Sequence, residues 1–208
     1  APGSVSLLSW GSSSGRGRAD THLFIGPAGS PQTSRRMADK KRKASDSACA
    51  GPSALLKHSS GSTLSAAHHG AHVCSWIPEG HDEVIFMSEM AKFGPSDAIR
   101  GGIPLCFPQF GPRGKLPQHG FFRKSNDWKA DEPKTLDNGD VVVVFKHTHT
   151  DETLASAWPH KFEAEYEVTL SKETATTRLR VRNTGDAPLE FTCALHTYFR
   201  VGDVGKTA

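Results

Sequence analysis

No apolar run in this sequence approaches the roughly 20 residues that a membrane-spanning helix needs. Its four cysteines, Cys49, Cys74, Cys106 and Cys193, include no CxxC pair. That lack removes the paired-ligand spacing of a zinc finger, and the neighbouring His68, His69, His72 and Cys74 have no second matching pair. No secretory signal is legible ahead of the cysteines, so they read as free thiols in a reduced compartment, the cytoplasm. Gly101-Gly102 is not followed by GK[ST] and a helix, which excludes a phosphate-binding P-loop. A net charge of +3 on 208 residues does not call for nucleic acid.

Helical periodicity is also missing. From about residue 66 onward no long amphipathic helix can be drawn, and the apolar residues fall instead in short runs with a period of two. Phe162, Ala164, Tyr166, Val168 and Leu170 alternate with Glu163, Glu165 and Glu167. Leu179 and Val181 alternate with Arg178, Arg180 and Arg182, and Ser171 to Ala175 links the two runs as a hairpin. In that hairpin the glutamate row faces the arginine row, a stabilising cross-strand arrangement. Val141 to Phe145 reads as a buried strand. Leu189 to Val201 reads as another, with Leu189, Phe191, Cys193 and Leu195 on one face and Thr192, Ala194, His196 and Tyr198 on the other. His147 and His149 are expected to face solvent. The fold class is all-β, an antiparallel β-sandwich.

Residues 1–65 differ in texture. They are rich in Ser, Gly, Ala and Pro, a composition expected to stay disordered because it buries too little apolar surface to offset the entropy of ordering. The sandwich domain is then 66–208. Residues 1–36 are Ser/Arg-rich and poor in acid, as an organellar transit peptide is, although an untranslated leader or a cloning artefact ahead of Met37 is the simpler reading. Lys40-Lys41-Arg42-Lys43 lacks interleaved aromatic residues and reads as a solvated basic tail rather than a nucleic-acid patch.

The chemistry-bearing segment is Arg100-Gly101-Gly102-Ile103-Pro104-Leu105-Cys106-Phe107-Pro108-Gln109-Phe110-Gly111, followed by Leu116-Pro117-Gln118-His119-Gly120-Phe121-Phe122-Arg123. Glycines and prolines at this density fix a loop scaffold, on which Arg100, Gln118, His119 and Arg123 are displayed. Paired guanidinium groups suit a phosphate, and a neutral amide and imidazole suit sugar hydroxyls. Further on stands Ala194-Leu195-His196-Thr197-Tyr198-Phe199.

These strings resemble the hallmark of the glucose-6-phosphate 1-epimerase branch of the aldose 1-epimerase (galactose mutarotase) superfamily, over residues 55–204 or so. The resemblance implies a mutarotase-like supersandwich, incomplete at the C-terminus, and an isomerase that interconverts the α and β anomers of D-glucose 6-phosphate. It implies that Arg100, Gln118 and Arg123 contact the sugar phosphate, that His119 lies near the sugar ring, and that His196 is the catalytic acid. No metal, cofactor, membrane or nucleic acid is implied, and a monomer is expected. In the family the base is a glutamate, preceded by a substrate-contacting aspartate, both downstream of the HTYF strand. This chain ends at Ala208, ahead of any residue matching them, so the 208-residue product is expected to be a fragment with little or no activity. The alternative reading is a catalytically inactive sugar-phosphate-binding module or a gene-model fragment.

Overall fold

A computed structural model describes residues 4–13, 18–25 and 49–203. Twelve strands form three sheets among the described residues, and neighbouring strands in each sheet run antiparallel. The largest sheet runs β2 (Arg18–Ile25), β11 (Ala175–Asn183), β10 (Phe162–Leu170), β9 (Val141–Thr148), β7 (Lys129–Ala130), with β8 (Lys134–Thr135) also on β9. A second sheet places β12 (Leu189–Tyr198) between β1 (Ser4–Ser13) and the two-residue β6 (Leu105–Cys106). The third is β3 (Ser53–Lys57), β4 (Thr63–Ala67) and β5 (His72–Ile77). The single α-helix among the described residues, α1 (Asp151–Leu154), spans one turn and is closed by a capping box between Thr150 and Thr153. No helix among the described residues is long and apolar enough to cross a membrane.

The period-two pattern explains the central hairpin. Burial along β10 alternates, with Phe162, Ala164, Tyr166, Val168 and Leu170 inward. The register sets Glu163 opposite Arg182, Glu165 opposite Arg180 and Glu167 opposite Arg178. Arg182 pairs with Glu163, and Arg180 reaches Glu167 at 3.0 Å and Glu165 at 3.9 Å. The expected charge ladder therefore forms on the outer face. One apolar cluster unites the sheets: Leu56, Trp76 and Ile103 pack with Leu105, Phe107, Phe122, Phe145, Phe162, Tyr166 and Leu195.

Two expectations need correction. The segment 1–65, read as disordered, contributes β1, β2, β3 and most of β4 within its described part. Its average composition hides local apolar residues: Leu56 and Leu64 are fully withdrawn from water, and Thr21 and Ile25 of β2 are buried against β11. β1 pairs with β12 along its whole length. Residues 26–48, with the basic run Lys40–Lys43, lie outside the described residues. The second correction concerns His147, which does not face solvent. It takes the inward position after Phe145 on β9, is buried among Phe122, Trp128 and Phe162, and its Nε2 meets Ser125 Oγ at 2.8 Å. Lys146 does point outward, bonded to Asp131.

Candidate active site

The Arg100–Pro104 segment is held by hydrogen bonds on both sides. Ser88 N–H donates to Arg100 O, Gly102 N–H to Phe86 O, and Ile103 N–H to Val73 O. From β12, Tyr198 N–H donates to Gly102 O and His196 N–H to Pro104 O. Gly102 has φ +68°, and a Cβ there would collide with the His72 ring and Val73 O, so this close approach needs glycine. His72 beneath it is fully buried, and desolvation lowers its pKa to about 3. Neither of its ring nitrogens makes a well-formed hydrogen bond, although the Gly101 peptide weakly favours the protonated form.

The second half of the motif is folded by Gln109. Its buried amide donates to the carbonyls of Gly111 and Leu116 and accepts from Leu116 N–H at 3.1 Å. That closes the 110–116 loop and brings Gly111 to His119, whose Nδ1 accepts the Gly111 N–H at 3.1 Å. His119 sits at φ +68°, a left-handed conformation uncommon for a residue with a Cβ. Arg123 rides on a 3-10 turn, Phe122–Lys124, which is seated against Gly70. Its Nη2 donates to Gln118 O at 2.8 Å, while Nε is buried without a partner.

These elements converge. The rings of His119 and His196 stand 5.8 Å apart, edge to face. Burial, then Arg123, then His196 lower the His119 pKa. Burial and Arg123 likewise lower that of His196, partly offset by its own peptide group. Burial also lowers the Arg123 pKa, with Arg100 adding to the effect and Cys106 and Tyr198 opposing it. Among the described residues neither arginine is paired with a carboxylate. Of the five residues singled out from sequence, His119, Arg123 and His196 form one cluster. Gln118 joins through its carbonyl and through an amide 3.3 Å from His119 Nε2, and Arg100 sits at the exposed margin. Because Nδ1 of His119 is the acceptor, Nε2 carries the proton of the neutral ring, and the Gln118 amide oxygen is the group that suits it.

Three further residues belong here. Tyr198 stacks on His196 at 4.9 Å and 11°. Phe110 lies 5.2 Å from His119 and 6.0 Å from His196, ring centre to ring centre. Cys106 is a buried thiol, raised to about 12 by desolvation, within the field of Arg123. Strand alternation places Tyr198 on the face of His196; nothing local marks Phe110 or Cys106.

The fold is an all-β sandwich whose loops and strand β12 gather two histidines beside arginines that no carboxylate pairs among the described residues. The chain belongs to the aldose 1-epimerase family, whose model matches residues 52–208. It is 39% identical over 144 residues to a Cenchrus ciliaris protein named "Putative glucose-6-phosphate 1-epimerase", covering 66% of this chain and 44% of that one. An Escherichia coli (strain K12) protein of the same name is 38% identical over 146 residues, covering 69% and 47%. Among solved structures, "a putative mutarotase (YeaD)" from Salmonella typhimurium superposes with a TM-score of 0.62 at 35% identity, covering 72% of this chain and 48% of that one. The chain thus spans about half the length of the relatives it matches.

Proposed function

We propose that this chain carries the hexose-phosphate pocket of a glucose-6-phosphate 1-epimerase, an isomerase that interconverts the α and β anomers of D-glucose 6-phosphate. The observation carrying this reading is the meeting of His119 and His196 at 5.8 Å in the field of Arg123, which no carboxylate neutralises among the described residues. Arg123 and Arg100 offer forked donors to the phosphate. Gln118 and the Nε2–H of His119 offer hydrogen bonds to sugar oxygens.

The reaction moves two protons. A base takes the proton of the anomeric hydroxyl, C1–O5 breaks as O5 receives a proton from His196, and the aldehyde rotates before the ring recloses. His196 suits the acid because an imidazole exchanges protons near neutrality. Its pKa in the free protein is lowered by burial and by Arg123. A bound phosphate dianion offsets the Arg123 charge and so favours the protonated, acid form. The base is assigned by family resemblance to a glutamate that no described residue matches. The chain is read as monomeric and cytoplasmic.

A non-catalytic sugar-phosphate-binding module is the second reading, favoured by the lack of a carboxylate among the residues that influence His119 and His196. Saturation-transfer NMR of glucose 6-phosphate separates the two. Anomer exchange that rises with the chain and falls with Arg123→Ala supports the isomerase. Binding without exchange supports the module, and loss of neither with Arg123→Ala refutes the pocket.

A further inference from the structure

A histidine that transfers protons must hold its reacting nitrogen in a fixed direction. The usual device is a hydrogen bond from the other ring nitrogen to a carboxylate or carbonyl. His196 lacks it: Nδ1 is buried without a hydrogen-bond partner among the described residues. Apart from its own peptide group, no hydrogen-bond partner among the described residues holds Nδ1, so the ring is set mainly by packing. Three aromatic groups surround it: Tyr198 stacked almost parallel at 4.9 Å, His119 edge-on at 5.8 Å and Phe110 at 6.0 Å.

Of these three, Tyr198 alone is clamped on both backbone groups by the loops that build the site. Its N–H donates to Gly102 O at 2.9 Å, and its carbonyl accepts from Phe86 N–H at 2.9 Å. Gly102 in turn belongs to the segment carrying Arg100. Strand alternation puts the tyrosine and histidine side chains on one face of β12, so the stack follows directly from their spacing. The phenol also lies within electrostatic range of Arg123. One side chain thus touches the imidazole and senses the phosphate-binding guanidinium.

We infer that Tyr198 is a positioning residue, whose flat ring sets the orientation of His196 and shields one of its faces from water. The inference rests on the reading of His196 as the acid, but its central measurement does not depend on turnover. The polar groups facing His196 are Arg123 from the Phe122–Lys124 turn and His119 from the preceding loop, with Tyr198 on its own strand. From the flanking β6, the Cys106 thiol acts on Arg123 rather than on the imidazole.

The test records the His196 ring proton by NMR against pH in the 208-residue chain and in Tyr198→Phe, Tyr198→Leu and Tyr198→Met, with melting curves for each. Phenylalanine keeps the stack, so its midpoint stays with the parent. Leucine and methionine fill space without a flat ring, so water reaches the imidazole and the midpoint moves up by about half a unit or more. Where anomer exchange is present, kcat falls about tenfold in the leucine and methionine variants while KM changes less than about twofold. Folded leucine and methionine variants with an unshifted midpoint overturn the inference. So does a phenylalanine variant shifted as far as they are. If the leucine and methionine variants do not fold, the phenylalanine titration still decides: an unmoved midpoint upholds the stack, a moved one overturns it. A parent chain that neither binds glucose 6-phosphate nor exchanges its anomers refutes the proposed pocket, while the four titrations still judge Tyr198.

Discussion

Nδ1 of His119 accepts the backbone N–H of Gly111 at 3.1 Å, which makes the imidazole a neutral donor through Nε2. The contact exists because Gln109 closes the intervening loop and because His119 adopts φ +68°. Asparagine tolerates that backbone better than other residues with a Cβ, so His119→Asn removes the ring with little backbone penalty. Binding of glucose 6-phosphate is expected to weaken about tenfold, close to 1.4 kcal/mol, with an unchanged melting temperature. Isothermal titration checks this, and unchanged affinity would take His119 out of the site.

Arg123 presents a planar fork already braced on Gln118 O. Lysine supplies the charge without the fork, so Arg123→Lys should recover only part of the affinity lost in Arg123→Ala. The loss to alanine is about 2 kcal/mol or more, since a charge-assisted contact to phosphate disappears. Phosphorus NMR of the bound ester reads both variants. Full rescue by lysine would show that only charge matters there.

His72 makes stability depend on acidity. Its pKa is about 3 in the folded chain, against an ordinary value of 6.5 when unfolded. Above the unfolded value both states are neutral and the residue contributes no pH dependence. As pH falls below it, the unfolded chain takes up the proton first, and stability declines until the folded pKa is reached. Between pH 6.5 and 5 the loss is about 2 kcal/mol from this residue. His147, also lowered by burial, adds a loss of the same sign. Urea unfolding across that window should show the decline, and His72→Leu should flatten it. An equally steep profile in the variant would assign the effect elsewhere.

Arg180 and Arg182 occupy one strand face but differ in exposure. The Arg180 side chain is 17% exposed between Asp20, Glu165 and Glu167, whereas that of Arg182 is 61% exposed. A largely covered cation serving several carboxylates contributes more than an exposed pair. Arg180→Ala is expected to cost about 1–2 kcal/mol and Arg182→Ala under about 0.5 kcal/mol. Denaturant midpoints of the two variants provide the comparison, and equal losses would contradict it.

The β10–β11 hairpin was legible because side-chain alternation is a local consequence of the pleat: Tyr166 and Leu179 fall inward, Glu163 and Arg182 outward, wherever the sheet is placed. The Arg100–Arg123 loops were legible for a related reason, since glycine and proline restrict their own backbone. Within the described part of 1–65, strands were missed because composition averages over residues such as Leu56, whose fate depends on the partner strand β4.

His147 was misread for the converse reason. Alternation assigns it to a face but does not say that Trp128 and Phe122 cover that face. Among the site residues, sequence alone determined the types available: two arginines, an amide and two histidines on stiff loops and a strand. Only the tertiary structure brought His119 beside His196 and buried Cys106 within the field of Arg123. Those relations depend on which strands and loops meet across the chain, and no local periodicity encodes that choice.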